Sequence, residues 1–217
     1  MEFTIRNANL RDLDGIMGVE EAWPEDQRST RDKFIARLEI FPEGFWVVEV
    51  AGRIVAVSTC TLTHYDANDI GSFKTWEQCT NNGLLYPLTN KEDYNAMYIV
   101  STGILVEARS LGIREALIQT HLSLAKKLKK QYVLAGAMIP GYDAYCNAMG
   151  EVPASEYAFI LKDGKPIDPT LKKLKSLGLE LPNPSHIISD FYQSVESRNH
   201  GALLVCDIPN HFQNEVE

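Results

Sequence analysis

Arg109-Ser110-Leu111-Gly112-Ile113-Arg114 forms a short loop between an apolar run that ends at Val106 and a long amphipathic run that begins at once. If the first run is a strand and the second a helix, unpaired backbone N–H groups gather at the helix's positive end, and such an end binds phosphate. An ordinary tight turn, with Gly112 present for its conformation alone, uses the same residues. Other reactive side chains are dispersed. Cys60, Cys79, Cys146 and Cys206 include no pair at two-residue spacing, and the five histidines are equally scattered, so no metal site is indicated. The cysteines read as reduced, mostly buried small hydrophobes. Glu20, Glu21, Glu25 and Asp26 make one linker acidic. It reads as a solvated turn, or, if it faces a cleft, as a feature that favours a cationic amine.

The elements that must position this loop follow from periodicity. Phe3-Thr4-Ile5-Arg6 alternates apolar and polar residues, and Asn9 caps a helical pattern of Leu10, Leu13, Ile16 and Met17. Ser29-Thr30 opens a second helix carrying Phe34, Ile35, Leu38 and Phe41 on one face, closed by Pro42 and Gly44. Residues 45–50 and 53–62 are β-rich and separated only by Ala51-Gly52, the signature of a hairpin. Residues 66–94 are polar and turn-rich, with a short helix around 73–78, and a connection this long is usually functional. The strand 97–106 then leads into the loop. The helix after it carries Ile113, Leu117, Leu124 and Leu128 on one face and ends in lysines that suit its negative pole. Beyond it come a strand at 132–139, a helix at 142–149, helical pieces near 155–161 and 169–177, and strands at 187–188 and 202–208. The order β-α-α-β-β-loop-β-α-β-α-β-β implies an α+β domain, α/β-like in its right-handed helical crossover.

Composition narrows the partners. With 217 residues, 45% hydrophobic and 23% charged, the chain can bury a sizeable core as one domain, 1–217, elaborated at about 150–217. A net charge of -8 argues against nucleic acid and anionic membrane surfaces. The apolar stretches are too short to span a bilayer, and the first residues lack a secretory pattern, so a cytoplasmic location is expected.

At the 109–114 loop the chain resembles the GNAT family of N-acetyltransferases. The family's pyrophosphate loop reads Arg/Gln-x-x-Gly-x-Gly/Ala, and Arg109, Gly112, the preceding strand and the following helix agree with it. Arg114 departs, standing where Gly or Ala is usual. Its side chain could crowd a diphosphate or pair with it, and charge favours pairing. The element order from Phe3 to Met149 is also the family's. Farther on, Ile139 to Tyr145, Ser155-Glu156-Tyr157, Asp168 to Leu171 and Gly201 to Leu204 are similar to GNAT domains joined to nitrilase-type carbon–nitrogen hydrolases. The resemblance implies a GNAT fold: a mixed central sheet, its fourth and fifth strands splayed, flanked by helices.

The resemblance also implies a reaction. Acetyl-CoA would be the co-substrate, with backbone groups of Ile104 and Val106 on pantetheine. Arg109, Ser110 and the N–H groups of Leu111, Gly112, Ile113, Arg114 and Glu115 would face the pyrophosphate. A neutral amine, small or peptidic, would attack the thioester directly, which needs proton removal, donors for the oxyanion and an acid for the thiolate. Family members often use a tyrosine as that acid, which makes Tyr145 the first candidate and Tyr142 the second. The family's frequent strand glutamate is replaced by Ser101, leaving a water chain through Ser101 or a carboxylate such as Glu21 as base. Association as a homodimer stays open. The competing readings are a non-catalytic acyl-CoA-binding or regulatory module, and an α/β domain that holds another phosphate ligand.

Overall fold

The structure, a computed structural model, is described for residues 2–213, the side chain of Asp26 excepted. In chain order the first elements are β1 (Thr4–Asn7), α1 (Leu13–Glu20), α2 (Arg31–Ile40), β2 (Phe45–Val50), β3 (Arg53–Thr63), α3 (Trp76–Thr80), β4 (Ala96–Ile104) and α4 (Ile113–Lys127). There follow β5 (Tyr132–Met138), α5 (Tyr142–Met149), α6 (Ala154–Tyr157), β6 (Leu161–Lys162), β7 (Lys165–Pro166), α7 (Pro169–Lys175), β8 (Ile187–Ile188), β9 (Gly201–Asp207) and α8 (Ile208–Gln213). The chain divides into two compact units, Met1–Thr63 with Thr80–Lys130, and His64–Cys79 with Gln131–Glu217.

In the first unit β1 to β4 form an antiparallel meander. Ala51 and Gly52 join β2 to β3, and both have positive φ, as a two-residue hairpin turn that follows the twist of its strands requires. Asn9 caps a short 3-10 turn in a capping box with Asp12, and α1 continues directly from it. Apolar positions at helical spacing on α1, α2 and α4 meet the alternate positions of the strands. Ile16, Phe34, Phe45, Val47, Met97, Ile113 and Leu117 are enclosed as a result. Each such side chain contributes about 1.5–3 kcal/mol.

In the second unit β9 pairs with β5 along its whole length, from Tyr132 opposite Asp207 to Met138 opposite Gly201, and β8 pairs with the start of β9. The buried carboxylate of Asp168 caps α7 through the N–H groups of Thr170 and Leu171. Its other oxygen accepts from Gly141 N–H and from the Tyr157 hydroxyl, both at 3.1 Å. Two local readings change. The helix near 155 ends at Tyr157, and a small hairpin follows because Asp163-Gly164 turns the chain with positive φ at both residues. The last strand stops at Asp207, because Pro209 cannot continue a ladder but fits a helix's first turn.

Candidate functional site

The loop after β4 is held by its own backbone. Leu105 N–H donates to Val55 O at 2.9 Å, a 3-10 turn covers Val106–Ala108, and Leu111 N–H donates to Ala108 O at 3.1 Å. Gly112 then takes the N-cap position of α4 with φ 77 and ψ 12, a left-handed conformation natural to glycine. It brings no side chain to accept from the first-turn N–H groups, so the positive end of a 15-residue helix is left bare. A Cβ built on Gly112 would meet nothing within 4 Å, so the space above the cap is open.

The loop's side chains divide by role. Ile113 is fully enclosed and anchors the helix start, whereas Val106, Arg109, Ser110 and Arg114 are exposed and Leu111 and Glu115 half-buried. Arg109 Nε reaches back to Ile104 O at 3.4 Å, bracing the loop against the strand end. Arg114 makes no hydrogen bond or ion pair among the described residues, which leaves its charge available. An open, cationic, N–H-rich helix start can hold a diphosphate.

The middle of β4 carries two polar clusters on opposite faces. Toward α4, Thr102 Oγ1 and His121 Nε2 each lie 2.7 Å from Ser58 Oγ, and burial pushes His121 down to about 3, so the imidazole is neutral. Toward α1 and α2, Arg37 is 1% exposed and donates to Ser101 Oγ at 3.1 Å, to Thr59 Oγ1 at 3.4 Å, to Ser29 Oγ at 3.2 Å and to Gly83 O at 2.8 Å. Two residues along the same face, a Cβ on Gly103 would come 3.0 Å from Trp23 Nε1 and 3.2 Å from Val19. A side chain at 103 would therefore make Trp23 or Val19 give by a few tenths of an ångström, so the linker after α1 lies close against the strand.

The linker itself is closed by Glu20, whose carboxylate accepts from Ser29 N–H at 2.7 Å, and by Arg28, which donates to the carbonyls of Trp23 and Glu21. Glu20 is buried, and desolvation raises its pKa against the opposing pull of the Ser29 N–H and Arg37. Glu21, the sequence candidate, is exposed. Arg37 escaped the sequence reading, and Glu20 entered it only as part of the acidic linker, because helical spacing marks apolar faces, not single buried charges.

In the second unit the tyrosines separate. Tyr142 is 5% exposed and its hydroxyl donates to Val152 O at 2.7 Å. Tyr145 is half-buried, its ring 5.3 Å from that of Tyr157, and its hydroxyl makes no hydrogen bond among the described residues. Tyr157 is fixed by Asp168, and burial together with that carboxylate pushes its phenol well above the usual range.

No family model matches the sequence. Among solved structures, the loading GNATL domain of CurA from Lyngbya majuscula superposes with a TM-score of 0.80 at 18% identity, over 97% of this chain and 100% of that one. The chain has the GNAT fold. A second GNAT structure, the GNAT-like decarboxylase GphF in complex with isobutyryl-CoA, gives a TM-score of 0.77 at 21% identity, over 94% of this chain and 99% of that one. By sequence, the chain is 27% identical over 207 residues to the uncharacterized N-acetyltransferase YkwB of Bacillus subtilis (strain 168), covering 93% of this chain and 87% of YkwB. It is also 27% identical over 192 residues to the probable hydrolase YhcX of the same organism. That match takes in 87% of this chain and 36% of YhcX, which fits the likeness of the C-terminal residues to GNAT domains of hydrolases. On this GNAT fold the Gly112 loop occupies the strand-to-helix junction singled out in the sequence. Among the described residues no helix is long and apolar enough to cross a membrane.

Proposed function

We propose that this chain is an acyltransferase that moves an acyl group, acetyl in the simplest case, from CoA to an amine by direct attack within a ternary complex. The observation that carries the reading is the bare, glycine-capped start of α4 following β4 on a GNAT fold. The isobutyryl-CoA in the GphF structure and the name of YkwB support it. In this reading the pyrophosphate lies against the N–H groups of residues 112–115, since that of Leu111 is taken by Ala108 O, with Arg114 paired to it, and Ile104 and Val106 offer backbone groups to pantetheine. Tyr145 protonates the departing thiolate, because its hydroxyl is uncommitted where that of Tyr142 is taken by Val152 O. The acceptor is a small or peptidic amine.

Calorimetry of acetyl-CoA binding, followed by mass-spectrometric screening of amine libraries with acetyl-CoA, tests this. Micromolar binding together with an acetylated product is the expected result. Binding with no product from any amine class would favour an acyl-CoA-binding module, and no binding would refute the reading.

A further inference from the structure

Position 101 of β4, where the resemblance leads one to expect a basic carboxylate, holds a hydroxyl with a buried cation behind it. Counting protons decides what that hydroxyl can do. Arg37 Nη1 lies 3.1 Å from Ser101 Oγ and 3.4 Å from Thr59 Oγ1 and donates toward both. The two hydroxyl oxygens are 3.0 Å apart, so one O–H lies between them and the other is left over. Thr59 is 1% exposed, with no further hydrogen bond from its hydroxyl among the described residues, whereas Ser101 is half-buried. If Ser101 donated to Thr59, the Thr59 proton would be buried without an acceptor and would bear its full desolvation cost. The favoured arrangement has Thr59 donating to Ser101, so that Ser101 accepts twice and turns its own O–H outward.

Such a hydroxyl is a poor base, because its oxygen is committed to two donors, one of them charged. It is a good donor for the same reason. Burial lowers Arg37 only to about 10, so the guanidinium is charged at neutral pH. All four of its hydrogen bonds go to neutral oxygens, and Glu20, which acts on its charge through space, makes its own hydrogen bond to Ser29 N–H instead. The group that meets Ser101 must therefore be a hydrogen-bond acceptor, and an anionic oxygen is favoured over a neutral one.

We propose that Ser101, held by Arg37 and Thr59, receives a substrate carboxylate next to the reacting carbonyl, so that the site selects a carboxylate carried either by the acyl chain or by the amine. This rests on the acyl-CoA reading above.

The test uses the full chain, with free CoA as control. In one arm the calorimetric affinities of succinyl-CoA and butyryl-CoA, four-carbon acyl chains with and without a carboxylate, are compared. In the other, thiol release from acetyl-CoA is followed with amino acids and with the matching amino-acid amides. A preference of about tenfold or more for the carboxylate in one arm is expected, and that arm names its source. Ser101→Ala should abolish the preference while free CoA binds as in the parent, and Ser101→Thr, which keeps a hydroxyl, should retain part of it. CoA binding without a carboxylate preference in either arm, or a preference that survives Ser101→Ala, overturns this inference alone. Failure to bind CoA overturns the underlying reading with it.

Discussion

Replacing Gly112 separates the conformational reason for a glycine from the ligand reason. An alanine there keeps φ near 77 and gains a Cβ that meets nothing within 4 Å, so only backbone strain is added. A left-handed non-glycine residue costs about 1–2 kcal/mol. At roughly 2–4 °C per kcal/mol for a chain of this size, the melting temperature should fall by about 2–8 °C. Gly112→Glu bears the same strain but adds an acid at the positive end of α4, which offsets about 0.3–1 kcal/mol. The glutamate variant should therefore be at least as stable as the alanine one. Its affinity for acetyl-CoA should collapse, since a carboxylate about 5 Å from a diphosphate charge is repelled by roughly 3 kcal/mol at an effective dielectric of about 20. That is on the order of a hundredfold in Kd. Thermal melts and calorimetry on both variants measure the two effects separately. Parental affinity in Gly112→Glu would refute the diphosphate assignment, and a glutamate variant far less stable than the alanine one would refute the strain argument.

Three further outcomes are expected. Arg114→Gly should weaken acetyl-CoA binding by about tenfold or more, the loss of one charge-assisted contact, and tighter binding would mean that the arginine obstructs the loop. Tyr145→Phe should lower turnover by about a hundredfold with little change in acetyl-CoA affinity, whereas Tyr142→Phe should cost about 1 kcal/mol of stability from its bond to Val152 O; reversed effects would exchange the roles. Hydrogen bonding from Arg6 holds the Asp12 carboxyl below its ordinary range, so its stabilisation is present above the unfolded pKa and lost as pH falls through the folded one. Asp12→Asn should therefore lose stability near neutral pH and show a shallower acid limb below about pH 4, measured by melts across pH.

The framework was legible where local chemistry is strong. Asn9, the Ala51-Gly52 turn and the run from Ile113 to Lys127 announce a cap, a hairpin and a helix from near neighbours alone, and the structure follows them. Strand, glycine and helix at Gly112 are contiguous in sequence too, but local chemistry left an ordinary turn open there, and the reading as a phosphate loop came from the resemblance to the GNAT family. The Arg37 cluster was not legible, because its partners Ser29, Thr59, Gly83 and Ser101 come from four separate stretches of chain and only folding brings them together. Periodicity gives α2 an apolar face, but nothing local marks an arginine that is enclosed. Glu20 and Glu21 are likewise indistinguishable in sequence, and the turn at the end of α1 decides which one is buried.

The pairing of β5 with β9 sets a schedule for synthesis. Residue 138 waits for residue 201 and residue 132 for residue 207, an interval of roughly 3–15 s at about 5–20 residues translated per second. The stretch Met1–Thr63 with Thr80–Lys130 is fully translated before that wait begins. In the interval the nascent chain displays Val133 and Leu134, both fully enclosed in the finished protein, on a strand whose β9 partner has yet to leave the ribosome. Chaperone demand and loss to aggregation during expression should therefore centre on this window, and slowing translation between β5 and β9 should lengthen it.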